Sequence, residues 1–253
     1  VCYFLIDKTY NADYDTGIQI FTHYENKHVY NTTRPLNSFH LDIFLRDSIG
    51  VSIVKKLLSK SSFKPLANHV SSRKPFGLDG NIFKTTTFSL DKNTFESPVT
   101  CYCKSKLTGY IPRNLIKSNN SWIDKWKVLT PYANNIGTEL KDDNQNCFVA
   151  IPNSVCSETF IIIGFDLVND ETDANNLSNY LKTKFSRFLH AQAKVSQHGT
   201  RQTYRFVPVP DLSKDSPINW NLSINEIDEQ LFNFYGLNEE EKQHIRNSIK
   251  DMN

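Results

Sequence analysis

Two polar segments carry the side chains best suited to chemistry at a nucleic acid. Ser71-Ser72-Arg73-Lys74-Pro75-Phe76-Gly77 joins hydroxyls, cations, an aromatic, a proline and a glycine, which is the composition of a loop. Hydroxyls and lysine suit phosphate oxygens, arginine can bridge guanine O6 and N7, and phenylalanine can stack or wedge. The same residues also fit a plain surface turn whose Phe76 tucks into the core. The second segment holds Gln197, His198, Thr200 and Arg201. There glutamine can bond adenine bidentately and arginine can bond guanine. Lys104 and Lys106, in a basic hairpin loop with Ser105 and Gly109, add two cations. Asn153 and Ser154, in a connection between strands, form a weaker third group, and Lys194 stands just ahead of the second segment.

These loops need elements to hold them. Leu177, Leu181, Phe185 and Phe188 fall at i, i+4, i+8 and i+11, on one face of an amphipathic helix. Thr172 or Asp173 can cap its start, and Gly199 lies in the turn beyond its end. From Ala174 to Pro210 the chain carries Lys182, Lys184, Arg187, Lys194, Arg201 and Arg205 and no acid. Two readings stay open: a helix anchored by its apolar face that feeds a phosphate-binding loop, or a core helix with a solvated basic side. Two further stretches, Ser48 to Leu78 and Ser97 to Ile123, are also basic and acid-free. Acids collect at Glu139 to Asp143, Asp166 to Asp173 and from Asp211 onward. Separate basic stretches in a chain of net charge +2 suggest one positive face.

The remaining pattern predicts an α+β fold, with a mixed or antiparallel sheet, packed helices and a C-terminal helical pair. Residues 1–6 read as a strand, 11–16 as a polar turn, and 17–21 and 28–30 as further strands of a meander. Asp47 can cap a helix over 48–60, and 65–70 fits a short helix. Strands are expected at 83–90, 99–103, 128–132, 148–151 and 159–163, with an exposed loop over 134–146. Ser223-x-x-Glu226 is a capping box with Gly236 as the stop beyond it, and Asn238-x-x-Glu241 resembles a second box.

With 253 residues, 39% hydrophobic and 12% aromatic, the chain can build one large domain or a domain with a subdomain. Cys2, Cys101, Cys103, Cys147 and Cys156 show no zinc-site spacing, so reduced thiols in a cytoplasmic protein are expected. No apolar run approaches the ~18 residues of a membrane span, so no membrane partner is expected. The first residue is Val1 and the one methionine is Met252. The expectation is a fragment whose beginning has been cut away.

Much chemistry is absent. There is no Gly-x-Gly, no Walker lysine loop, no nucleophile elbow and no His-Glu-x-x-His. No proline follows an asparagine, and His190 and His198 have no evident acyl-transfer partner. Glu139-Leu140-Lys141, with Asp124 upstream, matches a metal-dependent nuclease triplet. Such triplets arise freely where 22% of residues are charged.

Eight segments, taken in order, resemble the C-terminal half of a bacterial restriction–modification adenine-N6 DNA methyltransferase with a TaqI-like target-recognition domain. They are Val1-Cys-Tyr-Phe-Leu, Arg34-Pro-Leu, Ser71-Ser-Arg-Lys-Pro-Phe-Gly-Leu78, Asp124-Lys-Trp-Lys-Val-Leu129, Pro152-Asn-Ser-Val-Cys-Ser-Glu-Thr159, Lys182-Thr-Lys-Phe-Ser-Arg-Phe-Leu189, Ser196-Gln-His-Gly-Thr-Arg201 and Tyr235-Gly-Leu-Asn-Glu-Glu240. The resemblance implies a catalytic-domain remnant over 1–60, a target-recognition domain over 61–210 and a helical cap over 211–253. It implies double-stranded DNA as partner, contacted by Ser72, Arg73, Lys74, Phe76, Lys104, Lys106, Asn153, Ser154, Lys194, Gln197, His198, Thr200 and Arg201. The parent enzyme would use S-adenosylmethionine, either as a methyltransferase alone or fused to an endonuclease. The family's Asn/Asp-Pro-Pro-Tyr/Phe motif is not in this sequence, so the resemblance gives the fragment no cofactor, no catalytic residue and no methyl transfer of its own, and leaves a separate N-terminal catalytic domain as a partner. A protein–protein module of a restriction complex is the alternative function.

Overall fold

The computed structural model describes residues 17–23, 29–36, 41–137 and 145–252, together with Leu5 and Thr9. The strand expected over 1–6 (Leu5 apart), the turn at 11–16 and the 139–141 triplet lie outside the described residues. What is described is α+β, with five α-helices and three small sheets.

One sheet divides the structure. It orders β6-β5-β8, with β5 at Lys127–Pro131, β6 at Phe148–Ala150 and β8 at Phe160–Ile163, all antiparallel. Successive strand side chains point to opposite faces. Val128, Ile161 and Ile163 therefore join the helical core, while Leu129, Ala150, Phe160 and Ile162 join a second core. Both faces are dry, which is why β8 reads Phe-Ile-Ile-Ile without polar alternation.

The second core is closed by β3 (Pro98–Tyr102), β4 (Thr108–Pro112) and β7 (Ser154–Cys156), ordered β4-β3-β7. β3 runs antiparallel to β4 and parallel to β7, so the expected connection at 153–157 holds a short strand. The strand expected at 83–90 is replaced by 3-10 turns at Ile82–Lys84 and Lys92–Thr94, with Ser89 alone bridging Tyr110. The chain crosses over Gly109, where an added Cβ would lie 2.2 Å from Phe88 and 2.7 Å from the Ser89 carbonyl. That crossing overrides the strand preference of the Thr- and Phe-rich sequence.

On the other face lie α1 (Ser48–Leu58), α2 (Glu171–Lys182), α3 (Lys184–Ala193), α4 (Ile224–Phe234) and α5 (Glu239–Ser248). Asp47 caps α1 through the N–H groups of Ile49 and Gly50. The single long helix expected after residue 172 is two helices. Asp170, not Thr172 or Asp173, caps the first, and Thr183 ends it while its hydroxyl accepts from Ser186 N–H to start the second. Leu177, Leu181, Phe185 and Phe188 are buried across the break. Both tail capping boxes form. Asp228 on α4 accepts from Lys184 and Phe185 N–H, each at 2.8 Å, at the start of α3. Glu241 on α5 meets Lys56 at 2.5 Å, and His244 meets Asp47 at 2.6 Å. Thus α1, the α2–α3 pair and the α4–α5 pair, from all three expected segments, share one core. β1 (Ile18–His23) and β2 (Val29–Arg34) form a separate antiparallel pair. No described helix is long and apolar enough to cross a membrane.

Gly164 turns the chain out of β8 with φ +74, and an added Cβ would lie 2.4 Å from Leu177 Cδ2. Gly164→Ala should cost about 2–4 kcal/mol in urea unfolding, from left-handed strain plus overpacking. A variant as stable as wild type would contradict this placement.

Candidate nucleic-acid interface

The first loop grows from the β8 edge. Val70 bridges Ile163, Ser71 N–H donates to the Ile162 carbonyl, and Ile162 N–H donates to Ser71 Oγ, both bonds at 2.9 Å. The loop then turns on Lys74 at φ 57 and Gly77 at φ 75, closed by Gly77 N–H to the Lys74 carbonyl at 3.0 Å. A left-handed lysine costs energy that glycine would not, so the surrounding contacts must hold it. Asn119 Nδ2 helps by donating to the Pro75 carbonyl at 2.6 Å. Phe76 corrects the sequence expectation: it is 1% exposed and packs in the second core, out of reach of a base stack.

The second loop pairs with the continuation of β5. Gly199 N–H donates to the Tyr132 carbonyl at 2.7 Å, and Asn134 N–H donates to the Gln197 carbonyl at 3.0 Å. An added Cβ at 199 would lie 2.9 Å from Asn134 Nδ2, so the Asn134 side chain would have to shift to admit a larger residue. Thr200 N–H donates to Thr203 Oγ1 at 3.1 Å and starts the 3-10 turn Arg201–Tyr204. Lys194 is a second correction. It is 4% exposed, and its ammonium donates to the Asn134 and Ile136 carbonyls at 2.8 and 2.7 Å. It ties the backbone beneath the loop and presents no charge to a ligand. Close by, burial pushes the His190 imidazole down to about 3, so it stays neutral.

The two loops meet at Tyr132. The Arg73 guanidinium lies 5.1 Å from its ring centroid, and the His198 ring stacks on it at 4.6 Å and 24°. Arg201 Nε donates to the Val70 carbonyl at 3.0 Å and so joins the base of the first loop. Glu158 forms an ion pair with Arg73 Nη2 at 3.0 Å, stands 3.7 Å from the Lys74 ammonium, and accepts Gly80 N–H at 3.1 Å. Lys74 also bonds Asp79, which holds its ammonium pKa above the ordinary lysine value. Ser72, Arg73, Lys74, Gln197 and Arg201 are exposed, and His198 and Thr200 are half-buried. A cation over an exposed aromatic ring contributes only about 0.5–1 kcal/mol, enough to bias a side chain's orientation.

The remaining candidates lie along the second core. Lys104 donates to Asn81 Oδ1 at 2.9 Å and sits 5.3 Å from the Phe83 centroid; Asn81 adjoins the Gly80 that Glu158 binds. Lys106 is exposed at φ 59. Asn153, at φ 57, donates to the Pro98 carbonyl at 3.0 Å and faces Arg113 Nη1 at 3.5 Å. Arg113 forks onto Asp124 at 2.8 and 2.5 Å and holds its carboxyl below the usual range. Asp124, the carboxylate upstream of the nuclease triplet, is thus engaged by an arginine. A cleft of about 760 Å³ beside Arg113 is lined by Phe95, Glu96, Pro112, Asn114 and Asn120 among others, and by no residue of the two loops. Ser154 is the third correction, fully buried and receiving the Lys127 ammonium at 3.1 Å. Tyr132, Glu158 and Arg113 escaped the sequence reading. Each works through a long-range contact, and nothing in the neighbouring letters marks it.

Lys127 is 1% exposed and also donates to the Ile123, Lys125 and Ile151 carbonyls at 3.2, 2.7 and 3.4 Å. Burial pushes its pKa from 10.5 down to about 8. Between these values the unfolded chain binds the extra proton, so this group's contribution rises with pH. It is complete above 10.5 and lost as pH falls through about 8. Unfolding titrations should show wild type gaining on Lys127→Met from pH 8 upward. A pH-independent difference would contradict the burial.

No protein-family model matches this chain, and no curated protein matches it.

Proposed function

We propose that this chain reads duplex DNA as the target-recognition part of a bacterial restriction–modification adenine-N6 methyltransferase, or of such an enzyme fused to an endonuclease. One observation carries the reading: Arg73 from one loop and His198 from another lie against the same Tyr132 ring, while Arg201 of the second loop bonds the Val70 carbonyl at the base of the first. In this reading Arg73 addresses a base edge, and Ser72, Lys74 and Arg201 contact phosphates. Gln197, His198 and Thr200 face the same groove. Lys104, Lys106 and the Asn153–Arg113 pair extend the contact along the second core.

The parent's cofactor finds no fit in this chain. No proline follows an asparagine and no Gly-x-Gly occurs, so S-adenosylmethionine and the flipped adenine belong to a separate catalytic domain, which is the second partner. Such a reader works beside chromosomal DNA in the bacterial cytoplasm.

The test is a gel-shift series on mixed-sequence duplex over rising salt. Binding should weaken with salt, and Arg73→Ala with Arg201→Ala should lower affinity at least about tenfold and flatten the log–log slope by roughly one to two. Retention that ignores ionic strength, or a folded double variant that binds as wild type does, would contradict the reading and favour a protein partner.

A further inference from the structure

Arg73 is gripped from two directions. Its guanidinium lies over Tyr132 at 5.1 Å, and its Nη2 is held by Glu158 Oε2 at 3.0 Å. The Glu158 carboxylate is itself fixed: Oε1 accepts Gly80 N–H at 3.1 Å, and its own backbone N–H donates to the Leu78 carbonyl at 2.9 Å. The carbonyl of the next residue, Thr159, accepts Tyr132 N–H at 2.8 Å, so acid and ring stand on two backbone segments joined by a hydrogen bond. Arg73 is 55% exposed in its side chain and Glu158 only 22%, so the acid sits below and the cation faces outward.

We propose that Glu158 is a specificity-determining positioning residue, which fixes the Arg73 guanidinium so that its outward edge reads a guanine. This deepens the DNA-reading proposal and rests on it. The physical argument is preorganisation. An unrestrained arginine follows the nearest phosphate and carries no sequence information. One that is held over a ring and paired with a carboxylate can form paired bonds to O6 and N7 with less further ordering. Lys74 stands 3.7 Å from the same carboxylate and bonds chiefly to exposed Asp79, a surface pair weak enough for a phosphate to replace. Glu158 also works against indiscriminate binding, because its negative charge offsets the loop's cations wherever no guanine meets Arg73.

The experiment selects bound duplexes from a pool with a randomised central segment, using wild type, Arg73→Ala, Glu158→Gln and Glu158→Asp. Glutamine keeps an acceptor for Gly80, and aspartate keeps the charge but draws it away from Arg73. Wild type should enrich a site with a guanine favoured about 10-fold or more at one position. Arg73→Ala and both Glu158 variants should lose that position and keep the others. Glu158→Gln should also bind an unrelated duplex more tightly than wild type does. If both Glu158 variants return the wild-type site unchanged, the positioning role is wrong while DNA reading stands. If Arg73→Ala keeps the guanine, the role is equally wrong. A folded wild type that retains no duplex removes the underlying reading, and this proposal with it.

Discussion

The structure depends on a sheet that has no wet face. β5, β6 and β8 are packed by helices on one side and by the β3–β4–β7 layer on the other. Polar chain can join such a sheet only at its edges and ends, where backbone groups still need partners. Residues 70–71 join the β8 edge, and residues 197–199 join the continuation of β5. Because β5 and β8 are neighbours in register, two loops more than a hundred residues apart emerge side by side. Tyr132, the first residue past β5, fills the space between them.

Charge in this chain is placed rather than spread. Lys127, Arg187 and Lys194 are all nearly buried and donate to backbone carbonyls, Lys127 to the Ser154 hydroxyl as well. They lie in or next to the acid-free stretches that suggested a positive face, yet they act as staples. Two acids of the tail, Glu241 and Glu229, are likewise used internally, by Lys56 and Arg246. Several of the outer cations around Tyr132 and along the second core have a carboxylate or amide partner, while Lys55, Lys60, Lys64 and Lys214 are exposed elsewhere. A set of this kind favours fixed geometry over bulk attraction, in keeping with a net charge of +2.

Local signals in the sequence survived folding. Asp47, Ser223 and Asn238 cap the helices their spacing indicated, and the apolar residues from Leu177 to Phe188 are buried even though Thr183 breaks the helix between them. The loop composition of 71–77 and 196–201 was also readable. What letters could not give was burial. Ser154 and Lys194 sit among polar neighbours yet are turned inward by contacts tens of residues away, and Phe76 takes the core placement that the plain-turn reading left open. Nor could spacing announce that Gly109 would be crossed by the 88–89 chain. Tyr132 and Glu158 matter through partners distant in sequence, which one-dimensional periodicity does not register.

The most direct test of the central claim is a backbone and histidine-ring NMR titration with a mixed-sequence duplex. The account predicts that Ser72, Arg73, Lys74, Tyr132, Glu158 and residues 197–201 shift together, while α4 and α5 stay still. Shifts confined to the α4–α5 face, or scattered without a cluster at Tyr132, would contradict it.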